Sequence, residues 1–316
     1  MFSELPNLFD RNFAIAYFLP VSIFMMVTAF LLKIFGYWPY VSSRLTGNTL
    51  YDATLAVVAT WIVSIFLLVL NRDIYRILEG YKKYNPLKIF EKRAKKVYNN
   101  KVARLKKLDD EYNKNGLNFP DDLHKERWIL MKDLAQKYPD TEDSVLPTAF
   151  GNALRAFEVY PRVMYGLEGI DGWPRILAVL PKDYRDLIDD AKAQVDWWVN
   201  LSVLSFLLLF EFWILVLCKW RLTLPWFYMV LDIAIPILIL IFLNWIFLWR
   251  SISAAIGWGN FVKSAFDLYR LNVIDLLGVD SVSSRKSEQK LWKGFSQAII
   301  YRRPDILPRL KKHRTK

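Results

Sequence analysis

Cysteine and histidine are nearly absent from this 316-residue sequence. The chain carries one cysteine, Cys218, and two histidines, His124 and His313. A single thiol excludes a disulfide framework within the chain, and three scattered ligands leave no cluster for a His/Cys metal site. Glycine and proline are also sparse, at 12 and 14 residues, which excludes collagen-like and low-complexity disordered chains. We expect neither a disulfide nor a metal or other cofactor.

Sequence motifs of familiar enzymes are missing as well. The chain has no glycine-rich phosphate loop, no paired-histidine metalloprotease helix and no Gly-x-Ser-x-Gly elbow. Its carboxylate pairs, such as Asp189–Asp190, are adjacent in sequence, and adjacent residues point to different faces of a helix. We therefore predict that the protein is not an enzyme, and a lipid-modifying enzyme ranks third among our hypotheses.

Long uncharged runs are abundant, because apolar residues make up 54% of the chain. Residues 13–32 and 53–70 form two such runs, and residues 197–218 and 226–249 form two more apolar runs that are broken by Glu211 and by Asp232. Each of the four is long enough to cross a bilayer as a helix. The alternative for the first run, a cleaved signal peptide, is disfavoured because acidic Glu4 and Asp10 precede it instead of a basic segment. The sequence thus predicts a four-span membrane protein that contacts lipids.

Acidic residues are outnumbered by basic ones, 31 to 43, for a net charge of +12. The basic residues concentrate after the second and the fourth runs, whereas only Arg44 follows Lys33 between the first two. Since positive charge stays on the cytoplasmic side, we predict that the middle region and both termini are cytoplasmic.

The middle region shows helical periodicity and helix-boundary signals. Asn85–Pro86 indicates the start of one helix that ends at Asn115–Gly116, and a second runs from Pro120 to about Tyr138. A third starts after Thr148 and is expected to stop near Pro161, and a fourth starts at Pro181 and runs into the third span.

The predicted fold class is an all-α membrane protein. It has a first transmembrane hairpin (1–72), a cytoplasmic helical domain (73–195), a second transmembrane hairpin (196–250) and a cytoplasmic helical basic tail (251–316).

Several short motifs lie around the second and third runs. They are the NRDIYRILEGY segment at residues 71–81, LPTAFGN at 146–152, AFEVYP at 156–161, YG at 165–166, WPR at 173–175 and NLS at 200–202. Together they resemble a widespread family of bacterial inner-membrane proteins with four spans and a helical middle domain. That resemblance covers roughly residues 50 to 220 and implies a location in the bacterial inner membrane and no enzymatic activity.

The order of membrane spans and cytoplasmic regions is also similar to that of membrane effectors of bacterial anti-phage systems, of the Hailong type. This resemblance implies a homo-oligomer that is held shut by a nucleic-acid oligomer and conducts ions when released. The partners it implies are a DNA or RNA oligomer or a cyclic nucleotide, and a nucleotidyltransferase that makes it.

A dense basic run follows the second span. Residues 88–107 carry nine basic side chains against one acid, Glu91. One hypothesis is attraction to anionic lipid together with a topology signal. The other is a polyanion site, and it gains support because much of a helix of this length stands beyond the reach of the membrane surface potential. The candidate ligand-binding residues are Lys88, Lys92, Arg93, Lys95, Lys96, Lys101, Arg104, Lys106 and Lys107.

Polar residues interrupt the third and fourth spans. Glu211, Asp232 and Asn244 are the candidate pore-lining residues, because a carboxylate within a bilayer is costly unless it faces water or a polar interior, and rings of acids line cation pores. The alternatives are a protonated Glu211 bonded across helices and an Asp232 hydrated near the interface. A proton relay ranks lower, since it needs more ionisable groups.

Our primary hypothesis is an oligomeric ion-conducting membrane effector in anti-phage defence, gated by a cytoplasmic polyanionic ligand. The rival is a non-conducting membrane scaffold that recruits a cytoplasmic partner.

Overall fold

A computed structural model of the chain describes residues 10–81, 85–219, 226–279, 282–303 and 305, and these residues form helices without any strand. The α-helices are α1 (Arg11–Ile34), α2 (Trp38–Ser42), α3 (Thr49–Glu79), α4 (Glu91–Asn115), α5 (Asp121–Lys137), α6 (Ala149–Tyr165), α7 (Gly169–Val179), α8 (Lys182–Lys219), α9 (Trp226–Leu276) and α10 (Arg285–Tyr301). The all-α prediction is confirmed for this part of the chain.

Helices α1, α3, α8 and α9 are long and apolar enough to cross a membrane. They contain the four apolar runs identified in the sequence. The protein is therefore all-helical with four candidate membrane-spanning helices. Helix α3 continues for nine residues past the end of its uncharged run at Leu70.

Two compact units divide the described chain. Unit 1 comprises residues up to Ile74 and Asp190–Ala254, and thus contains all four apolar runs. Unit 2 comprises Tyr75–Asp189 and the residues from Ala255 onward. The residues after the fourth run consequently belong to the same compact unit as the middle region.

The core of unit 1 forms where α1 meets α3 and α8. Tyr17 and Val21 of α1 are buried together with Leu67 of α3 and Leu204 of α8. Residues Ala14–Phe18 of α1 form a π-helical segment. Such segments interrupt the regular helical hydrogen-bond pattern and leave carbonyl groups available to other partners.

Helices α4 and α5 form a hairpin in unit 2. A 3₁₀ turn, Pro86–Phe90, precedes α4. Asn85 caps this turn by accepting a hydrogen bond from the Leu87 amide at 2.9 Å. Helix α4 ends at Gly116, which has a φ of +53° that favours glycine. Both boundaries, and those of α5, agree with the sequence prediction.

The expected end of the third middle helix at Pro161 is wrong. Helix α6 continues through Pro161 to Tyr165 and ends at Gly166, which has a φ of +81°. An interior proline removes one amide donor, yet Pro161 is buried with eight other residues of this amphipathic helix. Beyond the proline, Tyr165 is anchored by a hydrogen bond to Asp267 at 2.6 Å, as is Tyr160 before it at 3.0 Å. These tertiary contacts outweigh the local preference for a break.

Helices α8 and α9 run without interruption out of the apolar runs. Helix α8 begins at Lys182, directly after Pro181, which confirms the expected helix start. Helix α9 continues through Pro236 and Trp249 to Leu276. Helix α10 begins with a capping box in which Ser284 and Ser287 bond each other's backbone amides. The last basic residues of the predicted tail, 306–316, lie outside the described residues.

Candidate functional site

The nine basic residues after the second span fall into two groups on α4 and the turn before it. Three form ion pairs. Lys95 lies 2.9 Å from Glu91, Lys101 pairs with Asp133, and Arg104 contacts both carboxylate oxygens of Glu126 at 2.6 and 2.8 Å. Asp133 and Glu126 belong to α5, so two of these pairs hold the hairpin together.

The remaining six side chains are exposed to solvent. No carboxylate among the described residues lies within ion-pair distance of them. They are Lys88, Lys92, Arg93, Lys96, Lys106 and Lys107. We call this group the outer basic face. Lys92, Lys96 and Lys107 lie near one line along α4, at spacings of four and eleven residues that return to the same side of a helix.

The ion pairs shift the ionisation of their members. The hydrogen bond from Arg104 lowers the pKa of Glu126. Burial alone would raise the pKa of Asp133, but the hydrogen bonds from Lys101 and Lys137 more than offset it and leave that pKa lowered. Lys101 and Arg104 are thus engaged by carboxylates, whereas no carboxylate of the described residues pairs with the outer basic face.

The three polar residues of the third and fourth spans have different surroundings. Glu211 is half-buried and accepts a hydrogen bond from Thr28 of α1 at 2.8 Å. Asn244 donates to the Ser202 carbonyl at 2.8 Å and to the Ser205 hydroxyl at 3.1 Å. Asp232 is exposed. No hydrogen bond joins Glu211, Asp232 and Asn244 within the described chain, so the structure does not bring them together.

Unit 1 also contains a buried polar cluster that we did not expect from the sequence. The Asp196 carboxylate is 3% exposed and accepts hydrogen bonds from Tyr17 at 3.0 Å, Lys192 at 2.8 Å and Asn71 at 3.3 Å. One turn further along α8, Asn200 donates to the carbonyl of Ala16 at 2.7 Å.

A sequence signal for this cluster was available. Lys192, Asp196 and Asn200 follow one another at spacings of four, which places them on one face of a helix. The Asn200 contact uses a carbonyl of the π-helical segment of α1. The cluster therefore ties α1 and α3 to α8 beside the ends of the second and third apolar runs.

The two longest motifs, at residues 71–81 and 146–152, meet in unit 2. Thr148 donates to the carbonyl of Leu78, and its hydroxyl accepts from the Gly151 amide at 2.9 Å. The side chain of Asn152 bonds both backbone groups of Leu146, at 2.7 and 2.8 Å. These hydrogen bonds fix the turn that starts α6 against the end of α3.

Two glycines of these motifs allow the close approach. A Cβ on Gly151 would lie 2.9 Å from the backbone of Glu79, and a Cβ on Gly80 would lie 2.7 Å from the ring of Pro147. Gly80 also has a φ of +90°. The motif residues therefore act as packing and capping elements of a joint between α3 and α6.

Two carboxylates face each other at this joint. Burial, and then repulsion from Glu158, raise the pKa of Glu79 to about 7, against the opposing effects of Arg76 and Arg155. Glu79 lies nine residues beyond the uncharged run of α3 and belongs to unit 2. Glu158 is in addition 3.2 Å from Arg155. The raised pKa places the ionisation of Glu79 near neutral pH.

The tyrosines that follow in the motifs bind Asp267 of α9. The Tyr160 hydroxyl lies 3.0 Å and the Tyr165 hydroxyl 2.6 Å from the Asp267 carboxylate. The guanidinium of Arg270 stacks on the Tyr165 ring at 4.0 Å and contacts Glu288 of α10 at 2.6 Å. These contacts explain both tyrosines as structural links between α6 and the helices that follow the fourth span.

No family model, curated protein or solved structure matches the chain. Conclusions about its function therefore depend on the geometry described above.

Proposed function

We propose that this chain is a subunit of an oligomeric, ion-conducting protein of the bacterial inner membrane, and that a polyanion bound to the outer basic face controls it. In this proposal unit 2 and both termini are cytoplasmic, which follows the distribution of basic residues. The resemblance to anti-phage membrane effectors motivates the role in defence, a nucleic-acid ligand and a nucleotidyltransferase that supplies it.

One observation carries the proposal. Six of the nine basic residues form an exposed face without ion-pair partners in the described chain, whereas Lys95, Lys101 and Arg104 are neutralised by carboxylates. Clustered cations repel each other, and their free energy falls when phosphates approach. A topology signal alone needs only an excess of positive charge and not an exposed face free of carboxylates.

The test measures how binding depends on salt. The probe is a short, fluorescently labelled single-stranded DNA, added to the full chain in nanodiscs of zwitterionic lipid. Each phosphate contacted contributes about −0.7 to the slope of log K against log salt for single strands. Six contacts predict a slope of about −4 and a loss of affinity of about 250-fold between 50 and 200 mM salt.

Two glutamine variants distinguish the outer basic face from the cations that are paired with carboxylates. The K92Q/K96Q/K107Q variant removes half of the outer basic face, so its slope should fall to about −2 and its affinity loss to about 20-fold. The control K95Q/R104Q removes two cations that are already paired and should keep the slope near −4. Equal slopes for the two variants, or binding without salt dependence, would contradict the proposal. Nanodiscs with anionic lipid should compete with the DNA.

The conduction part of the proposal uses Glu211 and Asp232. Glu211 lies within an apolar span and has a single hydrogen bond from Thr28 among the described residues, and Asp232 is exposed on its helix. Carboxylates in these places are stabilised if water fills a pore between subunits. Ion flux into liposomes should decrease for Glu211→Gln. Unchanged flux would remove Glu211 from the conduction path.

A second candidate function is the non-conducting scaffold, and an exposed apolar patch on α5 favours it. Trp128 is 60%, Ile129 50% and Met131 44% exposed on this helix. Exposed patches of this kind occur at protein interfaces. The scaffold predicts no conductance at all, and replacement of Trp128 by Ser would then abolish function without changing DNA binding.

A further inference from the structure

Helix α9 has apolar residues on two faces in unit 2. Its inner face is part of the core, where Val262, Ala265, Phe266 and Val273 are at most 6% exposed. A helix at the surface of a water-soluble unit normally presents polar residues outward. The opposite face of α9 therefore needs an explanation.

The outward face carries four large apolar side chains. Phe261 is 37%, Leu268 63%, Leu271 45% and Leu276 72% exposed. Phe261 and Leu268 are seven residues apart, and Leu271 follows three residues later. Intervals of seven and three or four are typical of the seam between packed parallel helices. We call Phe261, Leu268 and Leu271 the α9 stripe. Each of these three side chains stays more than a third exposed in the described chain.

We infer that the α9 stripe is the surface on which a second copy of this chain packs, helix against parallel helix. The inference rests on the proposed oligomer and names its contact surface. Helix α9 is continuous from the fourth span to Leu276. All copies in one membrane share an orientation, so their α9 helices are parallel and the same residues lie at the same height.

This geometry makes the stripe complementary to itself. A two-fold interface joins the same patch of both subunits, and parallel seams bury identical apolar positions against each other. The apolar window of the fourth span, earlier in the same helix, has no residue buried by its own chain. The membrane part of α9 is therefore also available to a neighbour.

The first experiment is disulfide cross-linking of the full chain in native membranes. Cys218, the single native cysteine, is exposed and is first replaced by alanine. In that background Leu268→Cys should form a covalent dimer under mild oxidation. The matched control Ala103→Cys is exposed on α4 and should give at least several-fold less. Equal yields would overturn the inference.

The second experiment places charge on the stripe. The L268E/L271E variant should lose the oligomer and run as single chains in mass photometry, while its helical content and its DNA binding stay unchanged. A variant that keeps the wild-type oligomer overturns the inference but leaves the proposed function standing. A wild-type protein that is itself a single chain overturns both. Assembly that appears only after removal of residues 306–316 would identify the C-terminal tail as the occupant and would also overturn the inference.

Discussion

Replacement of Glu79 by glutamine should stabilise the protein at alkaline pH and have little effect in acid. The folded chain raises the pKa of this carboxyl from 4.5 to about 7, first because the side chain is removed from water and second because Glu158 is close. Above pH 7 the folded protein must hold a charge at a site that disfavours it. Glutamine keeps the size and the hydrogen-bonding capacity but carries no charge.

The sign follows from the two ionisation equilibria. Between pH 4.5 and 7 the unfolded chain releases the proton while the folded chain retains it, so the folded state loses stability as pH rises through this window. The shift of about 2.5 units would correspond to at most about 3 kcal/mol. Because the side chain is only partly buried, solvent screening reduces this to about 1–2 kcal/mol.

Thermal unfolding in detergent measures the effect. A change of 1 kcal/mol moves Tm by about 2–4 °C for a unit of this size, so Glu79→Gln should unfold about 2–8 °C above the wild type at pH 8. The difference should shrink toward zero near pH 4.5. Glu111→Gln, the same substitution at an exposed position of α4, should follow the wild type at every pH. A Glu79→Gln gain that is independent of pH, or a loss at pH 8, would refute the reasoning.

Two further substitutions test the packing. Gly151→Ala places a Cβ 2.9 Å from the backbone of Glu79 and should cost about 1–3 kcal/mol in unfolding free energy; an unchanged Tm would show that the joint is loose. Asn244→Leu removes the hydrogen bonds to Ser202 and Ser205 and should cost about 0.5–2 kcal/mol. A normal Tm together with altered ion flux would instead indicate that Asn244 lines a pore.

Helix positions were predictable wherever a local signal decided them. The apolar runs, the start at Asn85–Pro86 and the end at Asn115–Gly116 depend on residues close together in sequence. Pro161 shows where this reasoning fails. The proline favours a break locally, but α6 continues because Tyr160 and Tyr165, on either side of the proline, both bind the Asp267 carboxylate.

The basic run was equally visible in the sequence, but its division into two faces was not. The carboxylates that pair with Lys101 and Arg104 come from α5, more than twenty residues away. Periodicity alone does not show which cations meet an acid. The outer basic face follows only from the packing of the α4–α5 hairpin.

By itself the sequence determined the helical class, the four candidate membrane-spanning helices and the excess of positive charge, because hydropathy and helical period are properties of neighbouring residues. The tertiary structure alone decided that Asp196 collects donors from α1 and α3, that Thr28 bonds Glu211, and that α9 exposes a second apolar face. Tyr17 and Thr28 lie about 180 residues from their partners, and contacts over such distances arise only when packing brings separate helices together.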